Sequence, residues 1–97
     1  MTDYWITFRI AEDGHPTRYD ALIDEINDIG TGFWDGATSF IAFSSALGIA
    51  TIGARLKATI APTKDKFLLR EITRDDARHC GVMGEGFGAF FPNSIKL

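Results

Sequence analysis

Two carboxylates and an imidazole stand close together in one short segment, at Glu12, Asp13 and His15. Such a group is chemically able to bind a divalent cation or to relay protons. Soluble, turn-forming loops collect the same residue types without any catalytic role. No second cluster at metal-ligand spacing accompanies this segment. We therefore name these three residues as the candidates for catalysis, and we expect neither a resident metal nor a cofactor.

Basic side chains form a second candidate site, because their distribution along the chain is uneven. Residues 1–36 carry two arginines against eight acids, residues 37–54 carry no charge, and residues 55–74 carry six cations against two acids. Cations that neutralise phosphates release counterions, which drives nucleic-acid binding. The candidates for this contact are Arg9, Arg55, Lys57 and Arg70. The net charge of −3 and the pI near 5.2 do not favour nucleic acid as the partner, and a solvated surface of mixed charge is the alternative.

Arg9 allows two interpretations. It is expected on the same sheet face as Trp5, with Arg70 on a neighbouring strand. It either forms an ion pair with an acid, such as Glu71, Asp3 or an acid of a partner chain, or it contacts an anion beside Trp5. In the second case Trp5 would be a stacking surface, as aromatic residues are on RNA-binding sheets. A dimer that seals this face would rule out the second interpretation.

The periodicity of apolar residues predicts the elements that position these side chains. Residues 4–10 alternate as a strand, and residues 17–29 have helical spacing, with Gly30 as a natural end. Residues 33–36 and 38–45 predict a hairpin, with the Asp35-Gly36 turn supplying positive φ. A second helix is expected from Ser44 or Ser45 to about residue 61, then a strand at 66–73 and a short helix from Thr73 to Gly81.

This order predicts an α+β fold of the ferredoxin-like split βαβ type, βαββαβ. It consists of an antiparallel four-stranded sheet with two helices on one face. Residues 1–73 would form this domain, and residues 74–97 a C-terminal extension that docks on the sheet or on a partner subunit. A length of 97 residues fits one domain. A single cysteine and the lack of a leader-like or membrane-spanning run predict a cytoplasmic protein without membrane contact.

Aromatic side chains are expected on the sheet face that the helices leave bare, and this predicts self-association. An exposed apolar sheet face requires a cover, and a second copy of the chain is a common one. The chain's own aromatic tail is the alternative cover, and the two covers operate together if the tail crosses to the partner. The residues assigned to this homodimer interface are Trp5, Phe40, Phe67, Phe87, Phe90 and Phe91. The parity of two strands stays open, so that Ile41 is the alternative to Phe40 and Leu68 the alternative to Phe67.

A further pattern runs through roughly residues 4–73. Its parts are Arg9-Ile10 at a strand end, Gly14-His15-Pro16, Tyr19 and Leu22, Trp34, Thr38-Ser39-Phe40-Ile41, Ser44-Ser45, Asp65 and the FLLREI strand. In this pattern the chain resembles the small CRISPR-associated subunit of the spacer-integration complex and its toxin–antitoxin relatives. The resemblance implies a ferredoxin-like homodimer, and some members are described as metal-dependent nucleases.

At one position the sequence departs from the pattern of the family that it resembles. The proposed metal-binding aspartate of those nucleases falls on Arg9 here, and a guanidinium is no ligand for Mg²⁺. We therefore expect a small, non-catalytic, homodimeric protein with an accessory or regulatory role. The alternatives are a nucleic-acid-binding module, or a divergent metal-dependent nuclease that uses Glu12 and Asp13.

Overall fold

The computed structural model describes residues 1–12 and 17–97. Its elements, in chain order, are β1 (Thr2–Arg9), α1 (Thr17–Ile29), β2 (Thr31–Trp34), β3 (Phe40–Ser45), α2 (Ile49–Lys57), β4 (Lys66–Ile72), β5 (Arg78–His79), α3 (Phe87–Phe90) and β6 (Ile95–Lys96). Strands β1 to β4 form an antiparallel sheet in the order β2-β3-β1-β4, and β5 pairs with β6 in parallel. This is the predicted ferredoxin-like arrangement.

The main core lies between the sheet and the first two helices. The even-numbered positions of β1 point toward the helices, because side chains alternate along a strand. They meet one face of α1 and one face of α2 in a single cluster. The buried members are Tyr4, Ile6, Phe8, Leu22, Ile26, Ile29, Ile41, Phe43, Ile52 and Leu56. The Tyr4 hydroxyl donates to the Leu47 carbonyl oxygen at 2.9 Å, so its buried polar atom is satisfied.

Helix α1 ends where its chain must pass closely over β3. The Gly30 amide donates to the Ile26 carbonyl oxygen at 3.0 Å and closes the last turn. A Cβ at Gly30 would lie 2.8 Å from the Phe43 ring and 3.2 Å from the Ser44 carbonyl oxygen. Glycine is therefore required here for close approach of the backbone, as well as for ending the helix.

Helix α2 is shorter than the sequence predicts, and its cap is different. Ser45 belongs to β3, where its hydroxyl donates to the Ile29 carbonyl oxygen at 2.6 Å and accepts from the Leu47 amide at 3.1 Å. Gly48 occupies the N-cap position without a side-chain bond, and the helix ends at Lys57. The Ser45 hydroxyl is therefore used in a tertiary contact with the end of α1, and it does not cap α2 as the local sequence predicts.

Two further local predictions are wrong. In the turn between β2 and β3 the residue with positive φ is Ser39, at 56°, and not Gly36. A Cβ at Gly36 would collide with the Met83 carbonyl oxygen, so this position requires glycine for close packing. The stretch from Thr73 to Gly81 is not a helix but a bend followed by β5. Arg74 is held by a side chain of β1, and His79 pairs with β6, so long-range contacts override the local capping pattern.

Residues 84–91 lie against the second face of the sheet. Phe87 and Phe90 are buried there with Trp34 and Ala42, and they form a smaller core. One prediction about this face is wrong: Phe67 packs on the helix side of the sheet, and Leu68 is the β4 residue on the other face, 60% exposed. The register decides this, because Phe67 lies opposite Phe8 and Leu68 opposite Thr7.

Candidate functional site

The C-terminal tail, defined as residues 84–97, packs mainly on the β2–β3 half of the second sheet face, and its cluster reaches Trp5 of β1 and Ile72 of β4 at one end. The Trp34 ring meets Phe87 at 5.0 Å and Phe91 at 6.2 Å between centroids. The Trp34 Nε1 donates to the Met83 carbonyl oxygen at 2.8 Å, which fixes the chain entering the tail. Beyond Trp5 and Ile72, the β1–β4 half of the same face has no such layer over it within the part of the chain that the structure describes.

An ionic network at one end of the sheet holds the start of the C-terminal segment. Arg74 donates from Nε to Asp3 Oδ2 at 2.8 Å and from Nη2 to Asp3 Oδ1 at 2.9 Å. The Ser44 hydroxyl joins both residues, and the guanidinium lies 4.3 Å from the centre of the Phe90 ring. Hydrogen bonding from Arg74 holds the pKa of the Asp3 carboxyl below its usual value. This network connects β1, β3 and α3 to the segment that follows β4.

The uncovered half presents three cations, Arg9, Lys66 and Arg70, all exposed. The register places Arg9 opposite Lys66 and Trp5 opposite Arg70. Residues directly opposite in an antiparallel pair share a face, and like charges there are destabilising. In residues 1–12 and 17–97 none of the three cations forms an ion pair. This positive surface, which we call the cationic half-face, is therefore free to bind an anion.

Trp5 lies at the boundary between the covered and uncovered halves. On one side its ring meets Phe40 at 5.8 Å between centroids. On the other side it lines an open cleft of about 460 Å³. The remaining lining residues are Arg70, Glu71, Ile72, Thr73 and Asp76. A half-buried indole beside a cation and an open cleft has the chemistry to stack on a flat ring while the cation faces an anion.

The buried Asp65 carboxylate has a structural role at the start of β4, directly before Lys66. It accepts from Arg18 Nε at 2.8 Å, and from the Ala11 and Ala61 amides, each at 2.8 Å. Hydrogen bonding from Arg18, followed by that from Ala61, holds the pKa of the Asp65 carboxyl well below its usual range. The carboxylate thereby ties the chain after β1, helix α1 and the α2–β4 connection together.

The predicted phosphate-binding residues divide into two groups. Arg9 and Arg70 share the cationic half-face, as described. Arg55 lies in the helix layer and donates to Glu25 at 2.5 Å and Asp28 at 2.6 Å on α1. Hydrogen bonding to Glu25, and then to Asp28, raises the pKa of Arg55. Lys57 is exposed in the last turn of α2, so Arg55 and Lys57 do not join the other two.

Of the catalytic candidates, Glu12 is exposed, while Asp13 and His15 lie outside the described residues. Across residues 1–12 and 17–97, no three His, Cys, Asp or Glu side chains are grouped so that they would hold a metal ion. Arg9 is the last residue of β1, the position at which the resemblance places a metal-binding aspartate.

The aromatic residues assigned to a dimer interface lie on both faces of the sheet and not on one. Trp5 and Phe40 lie on the second face, and Phe87, Phe90 and Phe91 belong to the tail that packs there. Phe67 lies on the helix side. The residue of the cationic half-face that sequence reasoning missed is Lys66. Its parity was the available signal, because residues 66, 68 and 70 of one strand point to the same face.

The sheet order and the two helices on one face define a ferredoxin-like α+β protein. The chain is similar in fold to the crystal structure of a hypothetical protein, TT1823, from Thermus thermophilus. The TM-score is 0.56 and the sequence identity 14%, over 74% of this chain and 82% of that chain. No protein-family model matches the sequence, and no curated protein matches it. None of the helices in the described part of the chain is long and apolar enough to cross a membrane.

Proposed function

We propose that this protein is a small, non-catalytic binding module that holds single-stranded nucleic acid on the cationic half-face. The observation that carries the proposal is the placement of three cations on the exposed part of β1 and β4, beside Trp5, none of which is ion-paired to another described residue. Lys66 and Arg70 are four residues apart on β4, which corresponds to about 13 Å along the strand. A phosphate backbone laid across the face would meet both, and would relieve the unfavourable pairing of Arg9 with Lys66.

The acidic pI does not oppose this proposal, because the charges are separated between layers. Exposed acids lie on the outer surface of α1, at Asp20, Asp24 and Asp28, and Arg55 neutralises part of that surface. The cationic half-face lies on the other side of the sheet. A polyanion approaching the molecule would therefore be oriented toward the sheet face and away from α1.

The homodimer predicted from the sequence stays a prediction, but its face-to-face form competes with the proposed function. Within one chain the tail already covers Trp34 and part of Phe40. On the remaining half, a second copy would bring a second set of the same three cations into the interface, which costs free energy without anions between them. The cations therefore favour a polyanion over a second copy on this face.

The resemblance to the CRISPR-associated subunit and its relatives also stays a hypothesis, as does the cytoplasmic location. A binding role needs neither a metal nor a cofactor. The exposed thiol of Cys80 is compatible with a reducing compartment. The nuclease alternative predicts Mg²⁺-dependent cleavage that EDTA abolishes and that is lost in the E12A/D13A double variant.

The test is the salt dependence of binding. Fluorescence anisotropy of labelled single-stranded RNA and DNA is measured at several salt concentrations. Three phosphate contacts predict a slope of log K against log salt of about −2, from about −0.7 per contact. The substitutions R9Q, K66Q and R70Q should each reduce this slope by about 0.7.

The matched control is K57Q, which removes an exposed cation from the helix layer. It should leave the slope unchanged. Binding that does not depend on salt, or an equal loss of slope in K57Q, would refute the proposed function.

A further inference from the structure

The cleft beside Trp5 contains a group that phosphate binding does not use. Besides Trp5 and Arg70, its lining includes Thr73 and two acids, Glu71 and Asp76. Glu71 lies opposite Tyr4 in the register and so belongs to the helix side of β4, whereas Asp76 follows the strand. Asp76 is exposed and forms no ion pair in residues 1–12 and 17–97. An acid at the edge of a polyanion site weakens binding of the phosphate backbone. Its position is therefore better explained by a different part of the ligand.

The cleft has the size and the lining of a site for a flat, polar ring. A volume of about 460 Å³ falls within the range of about 300–1,000 Å³ that is usual for small-molecule sites. Trp5 and Ile72 supply apolar surface, and Trp5 lies directly opposite Arg70 in the β1–β4 register. A base stacked on Trp5 would have its own phosphate close to Arg70.

The Asp76 carboxylate has acceptor atoms only, so it recognises hydrogen-bond donors. The exocyclic amino group of cytosine is such a donor, and carboxylates accept from it in protein–DNA complexes. Thymine and uracil carry a carbonyl oxygen at the corresponding position, which a carboxylate repels. Cytosine, thymine and uracil all stack on an indole. A difference in affinity between them therefore comes from the hydrogen-bonding groups at the edge of the base.

We propose that this cleft is a base-binding subsite in which Trp5 stacks on a base and Asp76 selects bases that carry an exocyclic amino group over thymine and uracil. The inference rests on the proposed function, because the strand reaches the cleft along the cationic half-face. It adds a preference among bases to a contact that is otherwise independent of sequence.

The experiment compares pyrimidines of similar stacking area. Affinities of the full-length protein are measured by anisotropy for short oligomers of deoxycytidine and thymidine, and for oligomers of cytidine and uridine. We expect the wild-type protein to bind the cytosine oligomer about five- to tenfold more tightly in both pairs. In D76N the preference should fall to within about twofold, because an amide both donates and accepts.

The control is D75N, which makes the same change of charge at the neighbouring exposed residue outside the cleft. It should retain the preference for cytosine, since a general loss of repulsion affects both oligomers equally. Circular dichroism and urea midpoints of both variants confirm that they are folded.

The outcomes separate the two proposals. Equal affinity for both oligomers with a normal salt slope overturns the subsite and leaves the proposed function standing. A cytosine preference that persists in D76N overturns the role of Asp76. Absence of salt-dependent binding to every oligomer refutes the proposed function, and the subsite with it.

Discussion

At the scale of single residues, Asp65 shows how one charged group stabilises a junction of three segments. Its carboxylate is buried and accepts from a guanidinium and two backbone amides. Charge-assisted bonds of this kind are shorter and stronger than neutral ones. The sequence offers no sign of this role, because Asp65 follows the turn-forming Pro62-Thr63-Lys64 and resembles any soluble loop acid.

We predict that D65N lowers the urea midpoint of unfolding at neutral pH. The substitution should also make this midpoint less dependent on pH in the acidic range. The pKa of Asp65 is lower in the folded state than in the unfolded chain. Its stabilisation is therefore fully present above the unfolded pKa and is lost as the pH falls through the folded pKa. The wild-type urea midpoint should decline below about pH 5, and the D65N midpoint should decline less steeply.

The matched control for this prediction is D24N, which neutralises an exposed acid in the middle of α1. Urea titrations followed by far-UV circular dichroism between neutral and acidic pH provide the measurement. If the urea midpoint fell equally steeply with decreasing pH in the wild-type protein and in D65N, the stabilising role of the Asp65 carboxylate would be contradicted.

At the scale of elements, the β2–β3 hairpin and the chain entering the tail are built to fit each other. A Cβ at Gly36 would lie 2.6 Å from the Met83 carbonyl oxygen and 2.8 Å from the Trp34 Nε1. These are the two atoms of the hydrogen bond that holds the tail on Trp34. The glycine of the turn is thus required by docking of the tail rather than by its own φ.

A pair of glycine substitutions tests this explanation. G36A should destabilise the protein by about 1–3 kcal/mol, because the buried Trp34 donor loses its acceptor. Its tryptophan emission should also shift to the red as water reaches the indole. G53A, in the interior of α2, meets no atom within 4 Å and should stabilise by about 0.5–1 kcal/mol. Urea midpoints and emission spectra distinguish the two, and an unchanged or higher midpoint for G36A would show that the contact does not matter.

At the scale of the whole molecule, the fold distributes charge and apolar surface between its layers. The helix layer carries acids outward, the tail covers the aromatic half of the second sheet face, and the cations occupy the other half. Leu68 is the large apolar side chain left exposed among those cations. It is therefore the residue by which a face-to-face dimer is most directly tested.

We predict that L68K leaves the molar mass in solution unchanged. A face-to-face dimer would bury Leu68 of both copies, and a lysine there would add to the positive charge of the interface. Size-exclusion chromatography with light scattering at micromolar concentration gives the mass of the wild-type protein and of L68K. Halving of the mass by L68K would show that this face is a dimer interface, and would count against nucleic-acid binding there.

The sequence by itself determined the layers of this protein, since they follow from local periodicity. Alternation in β1 separates Tyr4, Ile6 and Phe8 from Trp5 and Arg9, and helical spacing in α1 selects Leu22, Ile26 and Ile29. These patterns predict the ferredoxin-like order. They also indicate that the second sheet face needs a cover.

The tertiary structure alone decided which partners the remaining residues find. The register of β4 turns Phe67 toward the helices and brings Lys66 opposite Arg9. The hydrogen bond from Trp34 to Met83, which lie 49 positions apart, fixes where the chain enters the tail. Periodicity describes one element at a time, whereas register and docking depend on contacts between distant segments whose packing the local pattern does not encode.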